Sequence, residues 1–137
     1  MTKSIEELPP LKWNDAREIK RGLMDRGWKT PDTYAAEFGC AGNFSAVYLF
    51  FMHGFDHEGR WDVYTQGIVA YVGMSRNLEQ RWGAHSILRQ LKERDNFVQR
   101  WFCPVQESVL RETEVSLIQE FDPPWNIQDR IRGGDYA

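Results

Sequence analysis

The run Tyr71-Val72-Gly73-Met74-Ser75-Arg76-Asn77-Leu78-Glu79-Gln80-Arg81 decides the fold, because its pattern changes part-way along. Up to Met74 it continues a strand that begins near Gly67 and is rich in β-branched and aromatic residues. From Asn77, a good helix cap, Leu78, Trp82, Leu88 and Leu91 recur at helical spacing to about Arg94. A strand therefore feeds a helix. Upstream, Ser45 to Met52 reads as another strand, with Tyr48 on the face shared by Ala46 and Phe50. Residues 53–66 between them read as a polar loop rich in Gly, Asp and His, short enough for an antiparallel pairing.

Further out, Asp95-Asn96 is a turn and Val98 to Val105 a third strand. Glu107 to Phe121 follows as a helix, stopped by Asp122-Pro123-Pro124. Near the start, Asn14 or Asp15 can cap a helix running to about Arg26 and stopped by Gly27. Pro31-Asp32 opens a second short helix through about Glu37, and Gly39 and Gly42-Asn43 break the chain after it. The expected fold class is α/β (α+β): a small, three-stranded, mainly antiparallel sheet flanked by helices. Residues 1–44 form an N-terminal helical extension, 45–128 the domain proper and 129–137 a polar tail.

Composition bounds the function. At 137 residues and 14% aromatic, the chain can build one domain with a real core. Its net charge of −3 argues against tight non-specific DNA binding but leaves room for a local basic patch. No apolar run is long enough to span a bilayer. Met1 to Pro10 is charged and polar, unlike a secretory signal, and two cysteines are too few for a disulfide framework. A cytoplasmic protein with no membrane association is expected.

Several polar residues fall in apolar places. Leu110, Leu117, Ile118 and Phe121 form a stripe at helical spacing, and Glu114 falls on it while Glu112 does not. A carboxylate there is protonated, paired with an arginine, or bound to a metal. Arg81 and His85, four residues apart, are neighbours at the margin of the middle helix's stripe; alone they read as a snorkelling arginine and an edge histidine. Tyr48 and Tyr71 are each central to a strand, where tyrosines usually serve packing. A phenol with an ordinary pKa of about 10 needs a neighbour's help to act as a base. Gly73 removes a side chain where something can approach closely.

Taken in order, Ala46-Val47-Tyr48, Tyr71-Val72-Gly73, Arg81, His85, Glu114 and Pro123-Pro124-Trp125-Asn126 resemble the GIY-YIG nuclease superfamily over about residues 45–128. The resemblance implies a metal-dependent endonuclease acting on DNA. Tyr48 would be the general base, with His85 tuning or accepting its proton. Arg81 would hold the scissile phosphate, and Glu114 would hold one Mg²⁺ (or Mn²⁺) per active site. Tyr71 and Asn126 would position phosphate and backbone. The chain departs from the family at Ala46-Val47 in the first motif, and at Met74 where many members carry a lysine whose part is either absent here or taken by another group such as Arg76. Arg17, Lys20 and Arg21, on the first helix, read either as a DNA-contacting basic patch or as a solvated face.

Rival readings are a catalytically inactive nucleic-acid-binding module and a protein-interaction module on the same fold. Cys40, His53, His57 and Cys103 form a weaker candidate zinc set, against surface histidines and core thiols. With no separate DNA-recognition domain in view, selectivity would need a homodimer, a protein partner or a structured substrate.

Overall fold

The computed structural model describes residues 14–31, 44–55, 61–83, 88–89 and 98–126. The second short helix (from residue 32 on), His85, most of the middle helix beyond Gly83, and the tail lie outside them. Four strands form one sheet: β1 (Asn14–Asp15), β2 (Ala46–Phe55), β3 (Trp61–Ser75) and β4 (Val98–Pro104), in the order β1-β3-β2-β4 with every pairing antiparallel. Among the described residues it is accompanied by α1 (Ala16–Asp25), α2 (Leu78–Gly83) and α3 (Leu110–Phe121).

The sheet thus has four strands where the sequence pattern predicts three. Asn14 and Asp15 pair with Gly67 and Gln66 just before α1 begins, so the N-terminal extension is built into the sheet. The expected loop at 53–66 is also largely strand. β2 continues to Phe55 and β3 starts at Trp61, with Gly54 opposite Asp62 and Phe55 opposite Trp61. A register shift after His53 accommodates the polar stretch: residues 63–66 have no partner on β2, and Gln66 pairs with Asp15 instead.

The helix ends follow local chemistry. The Asp15 carboxylate accepts a hydrogen bond from the Glu18 N–H at 3.0 Å and caps α1. Gly27, at φ 85°, ends it in the left-handed conformation glycine tolerates best. The last helix is preceded by a 3₁₀ turn at Glu107–Val109 rather than being α-helical from Glu107. It stops at Asp122, whose φ of 43° is left-handed and whose N–H returns to the Ile118 carbonyl at 2.8 Å; Pro123 then forbids continuation. Among the described residues no helix is long and apolar enough to cross a membrane.

β2 is central and buries both of its faces. Tyr48, Phe50 and Met52 pack with Tyr71, Phe102 and Leu78 on one face. Val47, Leu49 and Phe51 pack on the other, with Ala16 and Leu23 of α1 and Leu110, Leu117 and Ile118 of α3. Each large apolar side chain so buried contributes about 1.5–3 kcal/mol of transfer free energy.

Candidate active site

Tyr48 sits mid-strand in β2, opposite Gly73 of β3 on one side and Phe102 of β4 on the other. Its phenol lies directly over Gly73. A methyl group there would come within 2.5 Å of both Cζ and Oη, so the glycine of Tyr71-Val72-Gly73 is what admits the Tyr48 ring. Trp82 of α2 meets that ring edge-on at 6.0 Å, and Phe50 and Tyr71 flank it at 5.5 and 6.4 Å. Tyr48 is fully buried.

Tyr71 shares this face because β3 carries a bulge. Phe50 pairs with Tyr71 and Phe51 with Val69, leaving Ala70 as the extra residue. Unbroken alternation from Ile68 would put Tyr71 on the face of Val69. With the bulge, Tyr71 stacks on Phe50 at 5.7 Å and 20° and joins the Tyr48 core. The sequence pattern gives no warning of this.

Asn126 holds the backbone between Tyr71 and Gly73. The Val72 N–H donates to its Oδ1 at 2.8 Å, and its Nδ2 donates to the Val72 carbonyl at 2.7 Å. Both Val72 groups point away from β2, so one buried amide occupies this stretch of the β3 edge. Trp125, beside it, packs into the Tyr48 core, so the chain passes from α3 on one face round the edge to the other.

Arg81 is half-buried on α2, one residue before Trp82, and its N–H donates to the Asn77 carbonyl at 3.1 Å. Its Nε is buried and has no hydrogen-bond partner among the described residues. Asn77 takes its place ahead of α2 as expected, its own N–H bonded to Ser75 Oγ at 3.0 Å.

Glu114 is fully buried on α3, as its position on the stripe predicts, and is the one buried carboxylate among the described residues. Its neighbours Leu110, Leu117 and Ile118 belong to the core on the Val47 face. The two tyrosines belong to the core on one face of β2, and the helix that carries Glu114 packs on the other.

The cations divide in the same way. Arg17 and Arg21 are exposed on α1, which packs against the face opposite Tyr48. Lys20 turns inward instead: its Nζ shares a hydrogen bond with Nε2 of His53 at 2.5 Å and lies 5.3 Å from the Phe51 ring centre. Burial holds the Lys20 pKa below its ordinary value. His53 is thus a buried strand residue and not the surface-loop histidine its polar surroundings suggest. Alternation from Val47 through Leu49 and Phe51 would have placed it inward. Arg76 is exposed and pairs with Glu107 at 2.7 Å. Met74 packs toward the α1 and α3 side, away from the tyrosines.

No protein-family model, curated protein or solved structure matches this chain. Its chemistry has to be read from the residues themselves.

For a metal, the donor set is sparse. Among the described residues no three His, Cys, Asp or Glu side chains group to hold an ion. Of the candidate zinc set, His53 is engaged by Lys20, and Cys103 is a half-buried free thiol whose pKa burial raises, against a smaller opposite pull from Arg26. Cys40 and His57 lie outside the described residues. Mg²⁺ is commonly held by one or two carboxylates, with substrate phosphate and water completing its shell. Glu114 alone fits that kind of site and does not fit an all-protein cage.

Proposed function

We propose that this chain is a metal-dependent endonuclease of the GIY-YIG type that hydrolyses DNA phosphodiester bonds. One observation carries the reading. The two short motifs that suggest the family interlock on neighbouring strands, with the Tyr48 phenol seated over Gly73 and Tyr71 beside it.

Tyr48 is assigned as the base that takes a proton from the attacking water, helped by His85. Arg81 binds the scissile phosphate and stabilises the charge that develops on it; its Nε has a donor to offer. Asn126 is a positioning residue, since it grips the backbone that carries Tyr71 and Gly73. Glu114 would hold one Mg²⁺ or Mn²⁺, which when bound polarises the phosphate and stabilises the leaving oxygen.

Plasmid nicking with and without Mg²⁺ tests this. The wild type should nick only with metal, and Arg81→Ala and Glu114→Ala should each abolish nicking while still melting cooperatively. Wild-type rates in either variant overturn the assignment. A second reading, a non-catalytic nucleic-acid-binding or protein-interaction module, draws on the full burial of Tyr48, which withholds the phenol from water in this conformation. A gel shift in EDTA without any cleavage in Mg²⁺ would favour it.

A further inference from the structure

Arg100 of β4 lies opposite Phe50 of β2, and cross-strand partners project from the same face, so Arg100 leaves the sheet on the Tyr48 side. Its guanidinium carbon sits 4.8 Å from the centre of the Trp82 ring, well inside the cation–π range of about 6 Å. Trp82 is the residue after Arg81 on α2, so Arg100 reaches across to the helix that carries Arg81.

Two other arginines are paired with carboxylates. Arg26 pairs with Glu120 at 2.6 Å and Arg76 with Glu107 at 2.7 Å. Among the described residues no carboxylate pairs with Arg81 or Arg100. The indole Nε1 of Trp82 is, like Arg81 Nε, buried without an acceptor. Among the described residues these buried donors and the Arg100 charge meet no carboxylate. An acceptor-rich anion is the ligand that matches. A planar guanidinium stacked on an indole is also pre-organised for bidentate contact with a phosphate.

We propose that Arg100 is a second phosphate-binding residue, presented by Trp82, and that it holds a DNA phosphate next to the one assigned to Arg81. This rests on the endonuclease reading for the identity of the polyanion, but it concerns binding and not cleavage. Duplex binding by the full chain is measured in EDTA over a range of salt, for the wild type, Arg100→Gln and Arg100→Lys, each checked by thermal melting. Arg100→Gln should weaken binding and make the slope of log K against log salt shallower by about one, and Arg100→Lys should restore the slope. Single neutral methylphosphonates placed along the duplex give a test that needs no variant: two adjacent phosphates should prove sensitive with the wild type. An unchanged slope in a folded Arg100→Gln, a single sensitive phosphate, or no duplex binding by the wild type overturns the proposal. Arg100-dependent binding without cleavage in Mg²⁺ supports the proposal and sinks the endonuclease reading instead.

Discussion

The two faces of β2 solve the same packing problem with different materials. On each face an aromatic ring of β2 enters a gap left by a glycine of β3: Tyr48 over Gly73 on one side, Phe51 over Gly67 on the other. Around Phe51 the hydrocarbon lining from α1, α3 and alternate strand positions is interrupted by Lys20 and His53, and Glu114 is buried on α3 of the same side. Around Tyr48 the lining includes a second phenol and an indole that carries Arg100. A buried polar group costs free energy unless a partner satisfies it. Both faces therefore give up some stability to hold buried polar groups: phenols and an indole on one, Lys20, His53 and Glu114 on the other.

Cutting the seam between the faces should have the largest effect. Asn126→Ala leaves the Val72 N–H and carbonyl without their buried partner, at about 1–3 kcal/mol for each group. Urea denaturation should show that loss, with activity falling as Tyr71 and Gly73 lose their support. A cost below that of a single lost hydrogen bond would mean the two faces are not joined there.

Next come the two glycines. A methyl at Gly73 would lie 2.5 Å from the Tyr48 phenol, and one at Gly67 would lie 2.5 Å or closer to two atoms of the Phe51 ring. Overpacking of this kind costs about 1–3 kcal/mol, so Gly73→Ala and Gly67→Ala should destabilise comparably. Their activities should part: assayed where both remain folded, Gly67→Ala keeps metal-dependent nicking and Gly73→Ala loses it. Equal losses would erase the functional distinction between the faces.

A smaller effect of opposite sign is expected at Gly22, on the exposed side of α1, where an added methyl meets nothing within 4 Å. Gly22→Ala should raise stability by about 0.5–1 kcal/mol, read from the urea midpoint, and leave nicking unchanged.

The smallest effect concerns pH. Lys20 gives up its proton more easily folded than unfolded, so between its lowered folded pKa and its ordinary value of 10.5 the unfolded chain holds more protons. Stability from this group should rise with pH across that window and be flat below it. Lys20→Met should remove the rise in urea midpoints between neutral pH and about pH 10. If the rise persists, it belongs to another group.

Much of this was legible in the sequence wherever the determinants are local. Asp15 and Gly27 mark the ends of α1, Asp122-Pro123 stops α3, and the stripe of Leu110, Leu117 and Ile118 shows Glu114 to be buried. What stayed hidden depends on pairing across the sheet. Two residues of β1 are too few to show a period. The hairpin beyond His53 is disguised by polar residues that a register shift makes tolerable. The bulge at Ala70, which brings Tyr71 beside Tyr48, exists only relative to β2. Arg100 drew no attention in the sequence because its significance depends on Trp82, far away in the chain.

The Asn126 amide has one more consequence. From Ile68 onward the outer side of β3 pairs with no described strand, and an open sheet margin of that kind invites a second chain to dock and extend the sheet. At Val72 both hydrogen-bonding groups are already taken by a side chain of the same molecule. Templated strand addition along this side of β3 is blocked at that point by the chain's own Asn126.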